Sequence, residues 1–172
     1  MIVAMEWESS WNMRIVPAKH CGLRLRRFAG TTPGSAKSGV TAPAPDETFE
    51  MTFAKDNAAA EGFNRWTING VAFPMRNAMA PASFHLRQGR RYRIHMRNES
   101  DDLHPIHLHR HSFELSNLAG TPTAGVMKDV VMLGGYQEIA VDFVADNPGL
   151  TLFHCHQQLH MDFGFMTLFD YV

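Results

Sequence analysis

The triplet His154-Cys155-His156 constrains the fold of this chain more tightly than any other feature of the sequence. It follows the apolar residues 150–153, which are typical of a strand. In a strand, neighbouring side chains point to opposite faces and alternate side chains share a face. We therefore expect His154 and His156 to project together and Cys155 to project the other way, so that potential metal ligands stand on both faces.

A second group of histidines, in the sequence HPIHLH at residues 104–109, supplies further ligands. Alternation along a strand predicts that its last two histidines share one face. The two spaced pairs then offer four imidazoles on one side: His107, His109, His154 and His156. On the other side Cys155 needs partners, and His104 and His160 are the natural candidates.

The chemistry of these two ligand sets favours copper. One thiolate with two imidazoles in a trigonal set is the ligand pattern of a type 1, or blue, copper site. Four imidazoles without a carboxylate suit copper or zinc better than magnesium or calcium. A structural zinc site and a Cys–His nucleophile remain as alternatives, although neither needs this many ligands.

The remaining histidines and the other cysteine are interpreted separately. His111 lies one strand step beyond His109 and is a further candidate ligand. We interpret His20, His85 and His95 as structural or surface residues. A disulfide between Cys21 and Cys155 would remove the thiolate from the cluster, so we predict that Cys155 is free.

The pattern of the chain predicts an all-β Greek-key sandwich. Residues 1–46 are irregular and end in a Gly/Pro-rich linker, and an alternation of period two begins at residue 47. The predicted strands, separated by turn residues such as Asn69-Gly70, are residues 49–53, 63–68, 71–73, 92–97, 112–118, 126–133, 137–144, 150–153 and 164–171. Residues 157–161 form one predicted helical turn.

Composition excludes several functional classes. The net charge of −1 provides no basic field, so we expect no nucleic-acid partner. No apolar run reaches the roughly 18 residues of a membrane span, so we expect no membrane insertion. Glu6 and Glu8 stand where a signal peptide would be basic, and we expect no export signal at this start.

The sequences HPIHLHRHSFEL and HCHQQLHMDFGF resemble the two copper motifs that close the last cupredoxin domain of laccase-like multicopper oxidases. The resemblance covers residues 47–172 and implies a cupredoxin fold with copper as cofactor. It implies type 1 copper ligands at His104, Cys155 and His160. It also implies a half-built trinuclear cluster, with His107 as type 2 ligand and, as type 3 ligands, His109, His154 and His156.

The resemblance further implies a reaction. Electrons from a one-electron reducing substrate, such as a phenol, an aromatic amine or a metal ion, would enter at type 1 copper. They would pass through Cys155 to the cluster, where O2 is reduced to water. Cys155, His154 and His156 are therefore the predicted catalytic residues. The alternative function is a stand-alone type 1 cupredoxin that transfers electrons or holds copper.

The chain departs from the family pattern at two positions, Phe165 and Arg110. Phe165 occupies the axial position of type 1 copper, where many members have Met, and we expect it not to coordinate and to raise the reduction potential. Met166 is the alternative axial ligand. Arg110 stands where Gly is common. Asp129 is a candidate carboxylate for orienting a ligand histidine, and Asp162 is a candidate substrate contact or a turn residue.

The largest departure is the missing half of the trinuclear cluster. The family builds it from two cupredoxin domains, each with four histidines, whereas this chain supplies four in all. Three hypotheses follow: a fragment of a longer oxidase, an assembly with a partner chain or further copies, or a lone copper domain. The irregular residues 1–46 favour the first. Full-length relatives are usually periplasmic or secreted, whereas we expect no export signal at this start. The sequence therefore predicts no one localisation for this chain.

Overall fold

The computed structural model describes residues 37–57, 62–73 and 83–172. The predictions for His20, Cys21 and the N-terminal start lie outside these residues. The strands are β1 (Lys37–Ser38), β2 (Glu47–Asp56), β3 (Arg65–Ile68), β4 (Phe84–Leu86), β5 (Arg91–Asn98), β6 (His104–Leu108), β7 (Phe113–Leu118), β8 (Thr121–Ala124), β9 (Met127–Lys128), β10 (Val130–Leu133), β11 (Glu138–Val144), β12 (Thr151–Cys155) and β13 (Met166–Tyr171). One short helix, α1 (Gln158–Asp162), connects β12 to β13.

The strands form two sheets. The larger has the order β1-β8-β7-β11-β5-β2-β3, with β9 also on β7, and the smaller has the order β10-β6-β12-β13-β4. Most neighbours are antiparallel, whereas β2 pairs with β5 and β13 with β4 in parallel. The predicted all-β sandwich is therefore confirmed. None of the helices among the described residues is long and apolar enough to span a membrane.

Aromatic side chains from both sheets meet in the core. Phe53 of β2 lies 6.2 Å from Phe153 of β12, and Phe143 of β11 lies 6.3 Å from Phe169 of β13, measured between ring centroids. β5 and β13 alternate between buried and more exposed residues, as a half-buried sheet requires, whereas β11 is buried along five consecutive residues. Each buried Phe contributes roughly 2–3 kcal/mol by removal of apolar surface from water.

Three details of the strand prediction are wrong. Residues 126–133 do not form one strand, because the chain changes sheets at Asp129: β9 pairs with β7 and β10 with β6. Residues 71–73 form only an isolated bridge between Ile68 and Val71. The sequence prediction also missed β4 and β8. Apolar periodicity reports which residues are buried, and it carries no signal for the sheet to which a strand belongs.

The domain boundary at residue 47 stays a prediction. β1 lies within the segment predicted to be irregular and pairs with β8 through Lys37 and Ala124. Residues 1–36 lie outside the described part of the chain.

The ligand triplet lies at the end of β12, the central strand of the smaller sheet. β12 lies between β6 and β13, and the register sets His154 opposite His107 and Cys155 opposite Ile106. Cross-strand partners point to the same face. The two histidine motifs, far apart in the sequence, are therefore brought side by side by strand pairing.

Candidate functional site: two ligand clusters on one strand

The first cluster consists of His104, Cys155 and His160, all buried. The Cys155 Sγ atom lies 3.7 Å from His104 Nδ1 and 3.6 Å from His160 Nδ1, and the two Nδ1 atoms are 3.1 Å apart. A point equidistant from these three atoms lies about 2 Å from each, close to the length of a metal–nitrogen bond. The donor set and its spacing therefore fit one copper ion.

The three ligands come from different elements that the backbone ties together. His104 begins β6, Cys155 ends β12 and His160 lies in α1. The Cys155 amide donates to the Phe165 carbonyl, and the Phe165 amide donates to the His160 carbonyl. The turn after α1 needs Gly164, because its φ is +110° and a Cβ atom there would lie 2.8 Å from the Trp66 carbonyl oxygen.

A serine determines which nitrogen of His104 is free to bind. The Ser100 hydroxyl lies 2.8 Å from the Asn98 Oδ1 atom, to which it donates its only hydrogen. It also lies 3.2 Å from His104 Nε2, so this contact requires the hydrogen to be on Nε2. His104 Nδ1 then carries the lone pair that faces Cys155.

The imidazole of His160 is covered by an indole ring. The Trp66 ring lies 4.1 Å from the His160 ring, at an interplanar angle of 21°. The Trp66 Nε1–H group donates to the Asp102 carboxylate at 2.8 Å, and Lys55 pairs with the same carboxylate. This arrangement holds the indole parallel to the ligand ring.

Phe165 occupies the apolar side of the cluster. It is fully buried, its ring stacks on His104 at 4.7 Å, and it contacts Phe53 edge-to-face at 4.8 Å. Phe165 has no ligand atom. Met166 pairs in register with His154, so its side chain lies on the face away from Cys155. This placement speaks against Met166 as the axial ligand.

Burial controls the protonation of the first cluster. Burial raises the pKa of the Cys155 thiol to about 11. Burial, followed by the nearby His160, lowers the pKa of His104 to about 4, and burial also lowers the pKa of His160. Without metal the imidazoles are therefore neutral at pH 7 and the thiol is protonated, so metal binding must displace the thiol proton.

The second cluster lies on the opposite face of β12. The ligand atoms of His107, His109 and His154 lie close enough together to hold a metal ion. The Nε2 atoms of His109 and His154 are 3.0 Å apart. His156 is exposed, and its ring lies 5.4 Å from the His154 ring and 5.7 Å from the His107 ring. It lines the same face but stands outside the tight group of three.

Backbone carbonyls orient two of these histidines. Nδ1 of His107 lies 2.6 Å from the Asp129 carbonyl oxygen, and Nδ1 of His154 lies 2.9 Å from the Cys155 carbonyl oxygen. A carbonyl only accepts, so each Nδ1 carries the hydrogen and leaves Nε2 for a metal. The prediction that the Asp129 carboxylate orients a histidine is therefore wrong, because the Asp129 backbone does so.

His111 is not part of either cluster. Its Nδ1 atom lies 3.0 Å from the His109 carbonyl oxygen and its Nε2 atom lies 2.7 Å from the Tyr171 hydroxyl. Both ring nitrogens therefore have protein partners, and the candidate ligand role for His111 is wrong. His111 instead stabilises the backbone of His109, through the contact with its carbonyl oxygen.

Hydrogen bonds from its side chain stabilise Arg110 at a position where Gly is common. Its φ is +66°, in the left-handed region that favours glycine. Its guanidinium donates to the Asn147 Oδ1 atom at 2.8 Å and to the Pro148 carbonyl at 2.6 Å. These hydrogen bonds offset the backbone strain at a position between two histidines of the first motif.

Other residues have plain structural partners. Asp162 accepts a hydrogen bond from Gln158 across α1, which agrees with the turn-residue interpretation. His85 pairs with Asp170, and His95 pairs with Glu50, near the surface. Sequence reasoning missed Ser100, Trp66 and Asp102, because nothing in the local sequence signals that they contact ligand rings.

Comparison with known proteins points to one family. The family described as Multicopper oxidase matches residues 41–172. The chain is 37% identical over 107 residues to Multicopper oxidase MmcO of Mycobacterium tuberculosis, covering 62% of this chain and 20% of that protein. It is 30% identical over 138 residues to Laccase-6 of Arabidopsis thaliana, covering 70% of this chain and 24% of that protein.

Solved structures agree on the fold. The multi-copper oxidase from Pseudomonas thermotolerans is 25% identical and superposes with a TM-score of 0.61, covering 76% of this chain and 31% of that one. Fet3p, a multicopper oxidase that functions in iron import, is 18% identical with a TM-score of 0.67, covering 91% and 37%. The chain spans about a fifth of the length of MmcO and a quarter of the length of Laccase-6.

Proposed function

The chain belongs to the multicopper oxidase family, and we propose that it is the copper-binding oxidoreductase domain of a laccase-like enzyme with a cupredoxin fold. In this proposal the cupredoxin domain comprises residues 47–172 and follows an irregular segment at residues 1–46. The reaction is one-electron oxidation of phenolic, aromatic or metal substrates, coupled to reduction of O2 to water.

One observation carries the proposal: Cys155 and His154 are adjacent in β12 but belong to ligand clusters on opposite faces. A single peptide unit therefore connects the two clusters. A pure electron carrier needs only the first cluster. The presence of the second, with three imidazoles converging, supports an oxidase in which electrons enter on one face and are used on the other.

The proposal assigns each ligand a role. His104, Cys155 and His160 hold type 1 copper, with Phe165 as a non-coordinating axial neighbour. His107 is a ligand of type 2 copper, and the ligands of type 3 copper are His109, His154 and His156. Cys155 and its two flanking histidines are the residues through which the electron passes.

Copper bound at these positions would supply a one-electron acceptor on the first face and a multi-electron centre for O2 on the second. The protein supplies the environment. Phe165, Phe53 and Trp66 exclude water from the first cluster. The Ser100 hydroxyl and the carbonyls of Asp129 and Cys155 each accept a hydrogen bond from one ring nitrogen of a histidine. The other ring nitrogen of that histidine then has no hydrogen and is free to bind metal.

The second cluster is half of a trinuclear site in this proposal. His156 is exposed and His107 is only half-buried, so the histidine face is open to a second set of imidazoles. A second cupredoxin domain, or another copy of this chain, would provide that set. One similar protein is named bilirubin oxidase, which supports an organic compound as the reducing substrate.

Copper stoichiometry and the absorption spectrum of the purified protein test the proposal. We expect an intense blue absorption band that depends on Cys155, and O2 consumption when the second histidine set is present. One copper per chain with a blue band but no second copper would favour the stand-alone electron-transfer function. No bound copper at all would refute both.

A further inference from the structure

A cavity of about 190 Å³ lies beside the first cluster, within the described part of the chain. It is lined by Gly62, Phe63, Asn64, Trp66, Leu159 and Phe163. Phe63 and Leu159 are more than half exposed, so the cavity has an apolar, solvent-facing rim. Its volume resembles the ~150 Å³ cavity that accepts a benzene molecule in another protein.

The cavity reaches the indole of Trp66 but not the imidazole of His160. His160 is 6% exposed and is not among the lining residues. Trp66 lines the cavity and stacks on His160 at 4.1 Å between ring centroids. A molecule in the cavity therefore meets the tryptophan first, and the ligand ring lies directly behind it.

The surroundings of Trp66 fix the ring and make it electron-rich. Its N–H group donates to the Asp102 carboxylate at 2.8 Å, which is a charge-assisted hydrogen bond. Its amide donates to the Phe163 carbonyl, which joins β3 to the end of α1. Phe63 lies 5.1 Å from Phe163 and forms the outer wall.

We infer that this cavity binds a small planar aromatic reductant against Trp66, and that the indole ring of Trp66 is the contact through which the electron reaches His160. This inference rests on the proposed function. The aromatic donor loses one electron and, when it is a phenol, its hydroxyl proton goes to solvent. Copper(II) held by Cys155, His104 and His160 would supply the acceptor for this electron, and Trp66 would be unchanged overall.

Binding is tested on the full chain without metal, by NMR of the indole N–H groups with hydroquinone as probe. The chain has three tryptophans, and Trp66→Phe identifies the signal of Trp66. We expect hydroquinone to shift this signal selectively. Phe63→Ala should weaken binding by about tenfold, because it removes an aromatic contact. Leu150→Ala, which removes an equally exposed apolar side chain that is not part of the cavity lining, should not.

Electron entry is tested on the copper-loaded chain without O2, by following loss of the blue absorption after mixing with hydroquinone. We expect Trp66→Leu to lower the limiting rate of reduction while the blue band persists. Trp66→Phe, which retains an aromatic ring, should restore part of the rate. In Trp66→Leu, the rate of reduction by ferrocyanide, which has no aromatic ring, should fall less than the rate of reduction by hydroquinone.

The outcomes separate the two proposals. If hydroquinone leaves the Trp66 signal unmoved, or if Trp66→Leu is reduced as fast as the original chain, the inference is overturned. If the original chain forms no blue site, the proposed function fails. The NMR titration of the metal-free chain would still decide whether the cavity binds an aromatic molecule.

Discussion

His154 and Cys155 are consecutive residues whose side chains belong to different ligand clusters. His154 Nε2 lies 3.0 Å from His109 Nε2, whereas Cys155 Sγ lies 3.6 Å from His160 Nδ1 on the other face of β12. Strand alternation makes this separation unavoidable. It also means that each cluster can be removed without removing the other.

Single substitutions should therefore separate the two clusters. Cys155→Ser, which keeps the size of the buried side chain, should abolish the blue absorption and leave Zn²⁺ binding at the second cluster. His154→Ala should weaken Zn²⁺ binding at the second cluster and keep the blue absorption. Absorption spectra and calorimetric titration measure the two properties. Loss of both properties in either variant would contradict the independence of the two faces.

Phe165 should hold the type 1 potential high. Its ring covers His104 in a site that is fully buried, and it provides no ligand atom. Phe165→Met introduces a thioether at the axial position and should lower the midpoint potential, because an axial sulfur stabilises Cu(II). Phe165→Leu is the matched control, since it changes volume without adding a ligand. Redox titration that finds an unchanged or higher potential in Phe165→Met would count against the axial assignment.

Ser100 should position His104 through a hydrogen bond. Ser100→Ala leaves the Nε2–H group of His104 without a partner in the core, which should cost about 1–3 kcal/mol of unfolding free energy. Copper affinity at the blue site should also fall by about 10–100-fold, as for other partners of metal ligands.

Ser116 provides the control for that experiment. It is as buried as Ser100, and its hydroxyl has no hydrogen-bond partner among the described residues. Ser116→Ala should therefore leave both unfolding free energy and copper affinity nearly unchanged. Equal effects of the two substitutions in urea unfolding would show that Ser100 has no specific role.

Copper affinity at the first cluster should depend on pH through Cys155. Burial raises the pKa of its thiol to about 11, so the thiol is protonated throughout the neutral range. Each bound copper then displaces one proton, and affinity should fall about tenfold for each unit by which pH is lowered.

The histidines should not steepen this dependence near neutral pH. Burial lowers the pKa of His104 to about 4 and also lowers that of His160, so both imidazoles stay neutral until the solution is more acidic. Competition with a chelator, followed by the blue absorption, measures the slope. A flat profile would show that the thiol is already ionised before copper binds.

Arg110 should reveal backbone strain beside the ligand histidine His109. Arg110→Ala removes the hydrogen bonds to Asn147 and Pro148 but keeps the left-handed backbone. Arg110→Gly removes the same bonds and relieves the strain, so it should be more stable than Arg110→Ala by about 1 kcal/mol. Urea unfolding of the two variants makes the comparison. The reverse order would show that φ at this position is not strained.

The sequence by itself determined the chemistry that the chain offers and the faces on which it stands. Residue types and a period of two were enough to predict an all-β fold, because a half-buried strand must alternate. The same alternation predicted that Cys155 and His154 point apart. These are properties of one strand, and they hold whatever that strand pairs with.

Only the tertiary structure decided which groups hold and cover the ligands. Ser100, Trp66 and the Asp129 carbonyl contact His104, His160 and His107 from other elements. The change of sheet at Asp129 and the positive φ of Arg110 are likewise set by pairing and packing at a distance. Local periodicity reports burial alone, whereas the partner of a side chain depends on the path of the turns and on how the two sheets pack.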